Sequence, residues 1–393
     1  METFVLSPRQ GNTCVTSSLS TVAPRLAQRR TASRLRVPPR FAPTLATVAL
    51  FIAMFAIGSA TYPNFLSGQV FLNLLIDNTF LMVVAVGMTF VILSGGIDLS
   101  VGAVVALSMV VSAKLLQQGW NPAAVIVLVL LIGAGFGTVH GVIIQFFNIQ
   151  PFIATLAGMF LARGLCYVTS LDAIPIRDGF YTGMAQTRIG VFFLRLPDGH
   201  VFGNVIVPVR DGFISPGVLI ALLVVAVAFF VLHQTRFGRT VYALGGSENS
   251  AILMGLAVTR TKVLVYAVSG VCSAIGGILF SLYSLSGFPL AAVGMELDAI
   301  AAVVVGGALL TGGYGYVLGS VGGVLILGLV QTFIRFDGTL SSWWTRIFIG
   351  SLLLAFILLQ RFFSRRTLTL PGLLGRHKSA IESSLAPRPP IAP

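Results

Sequence analysis

None of the three lysines, Lys114, Lys262 and Lys378, follows a glycine. The chain therefore has no Gly-Lys-Ser/Thr loop to cradle a nucleotide phosphate, and it does not hydrolyse ATP by that route. The four histidines, His140, His200, His233 and His377, include no pair at metal-ligand spacing, and no Ser/His/Asp set can be assembled around them. Cys14, Cys166 and Cys272 are scattered, which excludes a metal knuckle or a disulfide framework, and they read as small packing residues. No catalytic and no metal site is expected. What remains is polarity inside apolar runs, which is costly and faces protein or water. Asp77 and Arg163 each lie about 10 Å from the same side of their runs and predict a buried ion pair. Asp77, Asn78, Thr89 and Asp98 are the polar groups that would meet a solute, while Asp98, Glu296 and Asp298 also stand at run ends.

The elements that carry these groups follow from composition. The chain is 56% hydrophobic and 9% charged, with a mean hydropathy of +0.94. Soluble domains carry about 25% charged residues, so a water-facing surface cannot be covered and a soluble enzyme is excluded. The fold class is all-α and polytopic, crossing a bilayer. Ten spans are expected, at 42–60, 71–94, 97–117, 122–147, 149–170, 214–232, 263–285, 298–311, 317–334 and 344–362, each judged against the ~20 apolar residues that cross a bilayer core.

Charge orients them. Residues 1–40 hold seven Arg against Glu2; 361–393 hold five Arg and Lys378 against Glu382. Loop 233–262 is basic, whereas 171–213 balances four Arg with four Asp. Ten spans with both tails inside place every basic segment on the cytoplasmic side, and eight spans would also keep both tails there. The same rule accounts for the pI of about 10.5, so no nucleic acid is invoked. Three parts result: a basic tail over 1–40, expected to be disordered; a transmembrane domain over 41–362; and a tail over 363–393. The first tail overlaps in composition with organellar transit peptides, but a secretory signal is not indicated, since the first apolar run begins only near Phe41.

Two glycine-rich junctions interrupt the spans. Ser94-Gly95-Gly96 joins spans two and three, and Thr311-Gly312-Gly313 joins spans eight and nine; each has a further glycine eight positions after its hydroxyl residue, Gly102 and Gly319. They suggest a weak internal repeat broken at Gly95, Gly96, Gly312 and Gly313. Span eight is short, roughly 21 Å against the ~30 Å core. Leu93-Ser94-Gly95-Gly96 echoes the signature of nucleotide-binding cassettes, but it ends an apolar run and no Gln follows. The stretch from Thr235 to Leu256 is basic yet too apolar for a free linker. Ser247 is placed to cap a short helix, Glu248 to face its positive end and Gly255 to close it. Ala251, Ile252, Met254 and Leu256 would give that helix an apolar surface.

These segments carry a resemblance. Gly87-Met88-Thr89, the run Gly95-Gly96-Ile97-Asp98-Leu99-Ser100-Val101-Gly102, Thr155-Leu156-Ala157-Gly158-Met159, the Thr235 to Gly255 loop, Val293-Gly294-Met295-Glu296-Leu297-Asp298-Ala299-Ile300 and Gly306-Gly307 resemble permease subunits of bacterial ABC sugar importers of the ribose/xylose/galactofuranose group. Phe336-Asp337-Gly338-Thr339-Leu340-Ser341-Ser342-Trp343-Trp344-Thr345 looks closest to a galactofuranose importer permease. The likeness covers roughly residues 41–362. It implies alternating access for a monosaccharide in the bacterial inner membrane, with no cofactor in this chain and ATP-Mg used by partners. Those partners are ATP-binding cassette subunits, a second permease (related or identical) and an extracytoplasmic sugar-binding protein. It also implies that the loop containing Arg236, Gly238, Arg239, Glu248 and Gly255 couples to the ATPase, although Asn249 and Ser250 depart from the Ala-Ala often found there. A secondary sugar transporter and a membrane-embedded enzyme are the rival readings; the few intramembrane charges and the missing nucleophile favour neither.

Overall fold

The computed structural model describes residues 42–63, 65–191, 212–339, 341 and 343–368. Cys14, His200, His377, the 1–40 tail and residues 369–393 lie outside them. In chain order the helices are α1 (Ala42–Thr61), α2 (Gly68–Asp77), α3 (Thr79–Leu93), α4 (Val101–Gln117), α5 (Pro122–Phe146) and α6 (Pro151–Thr169). Strand β1 (Ile174–Pro175), helix α7 (Gly179–Gln186) and strands β2 (Ile189–Val191) and β3 (Gly212–Ile214) precede α8 (Pro216–Gln234). Then come α9 (Arg236–Gly246), α10 (Glu248–Leu253), α11 (Val258–Ser284), β4 (Ser286–Gly287), α12 (Met295–Val305), α13 (Val317–Asp337) and α14 (Trp343–Leu368).

Among the described residues five helices are long and apolar enough to cross a membrane unaided, namely α5, α6, α8, α11 and α13, and a sixth span results if α2 and α3 count as one. The other expected spans fall on shorter apolar stretches, Leu45–Thr61, Val101–Gln117 and Trp343–Leu358, and on the 11-residue α12. Local chemistry sets several starts. Prolines open α5, α6 and α8, where their missing N–H costs nothing, and the Asn121 side chain accepts the Ala123 N–H at 2.9 Å.

Two expected spans are corrected. The run 71–94 is not one helix: α2 and α3 meet at Asn78 with a bend of 58°. The Asn78 amide donates to Leu74 O at 2.9 Å, and Thr79 Oγ1 donates to Leu75 O at 2.8 Å. Side chains thus take up carbonyls the bend leaves over, which is how a broken helix is tolerated away from water. Span eight ends at Val305 rather than 311, because the chain turns at Gly306 and at Gly307, whose φ is +95°.

The core is built around α3, in which every residue but Phe80 is buried. Helix α5 lies against α11 through Gly133, Gly137 and Gly141, one per turn. A Cβ at Gly137 would run into Tyr266 O, and one at Gly141 would sit 2.7 Å from Val263 Cα. Helix backbones in membranes approach this closely only where side chains are absent. Gly137→Val is expected to destabilise the chain by about 1–3 kcal/mol through overpacking. Detergent thermal-denaturation curves check this, with Gly135→Val as the tolerated control because nothing lies within 4 Å of its Cβ position.

The short strands gather at one end of the bundle, the hairpin end. There β1 pairs antiparallel with β4 and β2 with β3. The opposite end carries α9, α10 and both glycine junctions, and is called the loop end.

Candidate functional site

At the loop end the two junctions and the last turn of α9 meet backbone to backbone. The α3–α4 junction turns at Gly95 (φ +85°), and the α12–α13 junction at Gly312 (φ +86°) and Gly313 (φ +75°). The first glycine of each pair thus adopts the same left-handed conformation, which L side chains rarely accept. The Gly313 N–H donates to Leu93 O at 2.9 Å, tying one junction to the end of the other's helix. Gly245 of α9 closes the group: a Cβ there would fall on Leu93 O and Gly313 N. Gly95, Gly312 and Gly313 are therefore brought together, while Gly96 faces the Tyr266 hydroxyl. Nothing in the sequence around Gly245 signals this role, because no local feature marks which distant backbone a glycine will meet.

The loop is two capped helices. Thr235 Oγ1 accepts the Gly238 N–H at 3.2 Å to start α9, and buried Gly238 lies against the Leu232 backbone, where no Cβ would fit. Arg236 and Arg239 are exposed. Tyr242 donates to Gly315 O at 2.7 Å; burial raises its pKa, so it remains a donor at neutral pH. Ser247 caps α10 through the Ser250 N–H at 3.3 Å. At its other end Gly255 (φ +71°) donates to Ile252 O at 2.9 Å and Leu256 to Ala251 O at 3.1 Å, the paired bonds of a Schellman close. Glu248 Oε1 accepts from Lys262 Nζ at 2.5 Å, fastening α10 to α11. Ala251 is buried with Leu244 and Val258. Ile252, Leu253 and Met254 point away, 54%, 88% and 64% exposed.

A Cβ at Gly255 would touch nothing within 4 Å, so only its positive φ restricts the position. Gly255→Val is expected to cost about 1–2 kcal/mol by forcing a branched residue into that conformation. Gly255→Asn should cost much less. Thermal stability of the two variants, compared side by side, checks the order.

The expected Asp77–Arg163 pair does not form. Asp77 accepts from Tyr283 OH at 3.1 Å and pairs with Arg335 of α13. Arg163 donates to Pro289 O at 2.7 Å and Ala291 O at 2.8 Å, bracing the segment between β4 and α12. Equal depth along two helices does not make them neighbours: α6 packs on α4 and α5, whereas α2 ends beside α13.

The other polar candidates are dispersed. Asn78 stands at the α2–α3 bend, its amide against Gly328. Thr89 is fully buried and donates to Ala85 O at 2.7 Å, with Ser320 Oγ also at 2.7 Å. Asp98 is 1% exposed; Oδ1 accepts from Ser100 N at 3.0 Å and Oγ at 2.6 Å, and Oδ2 from Ser269 Oγ at 2.7 Å. Since Ser100 gives its proton to Asp98, the contact with His140 Nδ1 at 3.4 Å needs that nitrogen to be the donor. His140 is thus a packed, hydrogen-bonded residue whose Nε2 lies against Gly158. His233 bonds to Phe229 O one turn back at 3.0 Å. Among the described residues no group of His, Cys, Asp and Glu could hold a metal ion.

The family described as branched-chain amino acid transport system / permease component matches residues 70–357. The inner membrane ABC transporter permease protein YjfF of Escherichia coli is 46% identical over 320 residues, spanning 81% of this chain and 92% of that one. The fructose import permease protein FruG of Bifidobacterium longum is 41% identical over 338 residues, 84% of this chain and 96% of its own. The ribose import permease protein RbsC of Bacillus subtilis is 40% identical over 314 residues, 80% and 91%. No solved structure matches. With its polytopic helical core, its two glycine junctions and a family match across most of its length, the chain belongs to this family of ABC-importer permeases.

Proposed function

We propose that this chain is the membrane-spanning permease of an ATP-driven importer for a monosaccharide of galactofuranose-like type, seated in the bacterial inner membrane with both termini in the cytoplasm. The relatives named for fructose and ribose import support the sugar class. The Phe336 to Thr345 segment, which resembles galactofuranose permeases, supports the finer choice. In this reading ATP and Mg are used by cassette subunits, a second permease (most readily a related rather than identical chain) completes the path, and an extracytoplasmic binding protein delivers sugar at the hairpin end.

The observation that carries the proposal is α10: a short helix, braced through Ala251 and Glu248, holding three apolar side chains outward from the loop end. Exposed apolar groups on a rigid mount are what a partner's groove buries. Motion of α10 reaches α9 through Ser247, and α9 rests at Gly245 on both junctions. Loop 233–262, with Arg236, Gly238, Arg239, Glu248 and Gly255, therefore acts as the transmission, and the junction glycines give the helices room to shift. Asp77, Asn78, Thr89 and Asp98 are the polar residues offered to the sugar or to the helices that move around it.

Uptake into vesicles reconstituted with the cassette subunits, the second permease and the binding protein tests this, offering galactofuranose and galactopyranose forms, ribose, xylose and fructose separately. Uptake that needs both ATP and this chain is expected, with the furanose preferred. Uptake that ignores ATP depletion but collapses with an uncoupler would make the chain a secondary transporter instead.

A further inference from the structure

We propose that a cleft beneath the loop binds the imported monosaccharide from the cytoplasmic side and thereby slows the importer as its product accumulates. This rests on the importer reading above and adds a regulatory site to it.

The cleft is about 290 Å³. Its walls come from four pieces of the loop end: Gly95 and Gly96 of the first junction, the turn between α5 and α6 with Asn148 and Gln150, Glu248 of α10, and Lys262 and Tyr266 of α11. Tyr266 lines the cleft and is 2% exposed; its hydroxyl lies next to Gly96, is itself buried and has no hydrogen-bond partner among the described residues. A buried hydroxyl left unpaired is unfavourable, and a ligand able to bond with it relieves that cost. Asn148 holds a left-handed conformation (φ +51°), a strained turn at the cleft edge.

The lining selects the ligand. Lys262 and Glu248 neutralise one another, so the cleft offers no net charge to an anion. Two amide side chains and a phenol supply both donors and acceptors, while Ile144 and Ile149 give an apolar wall. That mixture suits a neutral polyhydroxylated ring with one less polar face. A sugar seated there bridges α10, α11 and the α3–α4 junction. Because relative motion of those pieces is the transmission, an occupied cleft resists it, and partner docking on α10 would close the site further.

The test uses proteoliposomes of the full complex with the cassette subunits facing outward and the binding protein with its sugar sealed inside. D-galactose (in its furanose and pyranose forms separately), D-fructose and D-ribose are added outside one at a time while ATP turnover is followed. The transported sugar is expected to slow turnover at least fivefold at saturation. Tyr266→Phe and Asn148→Gly should each raise the half-inhibitory concentration about tenfold, the uninhibited rate being kept. Phenylalanine retains the ring and loses only the unpaired hydroxyl; glycine accepts the left-handed φ. No slowing with any of the three sugars, or equal slowing in wild type and both variants, overturns the proposal. A purely structural role for Tyr266 predicts that second result, with thermal stability unchanged or raised. Uptake measured in the same vesicles reports separately on the importer reading.

Discussion

Leu253→Asp is expected to abolish ATP-driven uptake while leaving the permease folded. Leu253 is 88% exposed at the end of α10, so almost no internal packing is lost. An aspartate near a helix C-terminus costs about 0.3–1 kcal/mol from the dipole, which a chain of this size tolerates. If Leu253 fills a pocket on the cassette subunit, a buried charge in its place removes an anchor worth about 2–4 kcal/mol, or roughly 30- to 1,000-fold in affinity. Co-purification of the cassette subunits with the variant permease measures this directly. Arg236→Ala and Arg239→Ala, at exposed positions in the first turn of α9, should weaken association far less. Full retention of the cassette subunits by Leu253→Asp would remove α10 from the docking role.

Gly245→Val should be nearly as damaging for a different reason. Its Cβ would fall on Leu93 O and Gly313 N, which are main-chain atoms and cannot rotate aside. Helix α9 must then back away, straining the Gly313 to Leu93 bond at 2.9 Å and the Tyr242 to Gly315 bond at 2.7 Å. Overpacking of this kind costs about 1–3 kcal/mol in stability. The larger expected effect is on transport, at least tenfold, because the loop no longer rests on both junctions at once. Gly246→Val is the control: one position along, its Cβ would meet nothing within 4 Å. Equal uptake by the two variants would show that contact at the junctions transmits nothing. Cassette subunits should still co-purify with Gly245→Val, which separates lost transmission from lost docking.

Much of the loop could be read beforehand. Ser247, Glu248 and Gly255 were marked by cap chemistry, which depends only on residues within one turn, and α10 starts and stops where those signals stand. The apolar face was foreseen only in part. Ala251 turns inward with Leu256 half-buried against the same cluster, and the most exposed side chain is Leu253, which the expected face did not include, because the side of so short a helix that faces the protein is set by α9 and α11 rather than by its own six residues. Asp77 shows the same limit. Its depth was legible, its partner was not, and Arg335 answered instead of Arg163.

That the chain is a helical membrane protein, where most of its helices lie, that it has no nucleotide loop and how the loop helix is capped are all legible in the residues alone. The first two follow from hydropathy summed over a window, the third from a motif that is missing and the last from hydrogen bonds closed within a turn, and none of these needs distant residues. The bend of the run 71–94 at Asn78, the hold of Ser100 and Ser269 on Asp98, and the meeting of Gly95, Gly245, Gly312 and Gly313 at one point emerge only in the folded chain. Those outcomes depend on which helices become neighbours. That choice is made by close backbone packing and by pairing of the few polar groups removed from water, and both are properties of residues far apart in the chain.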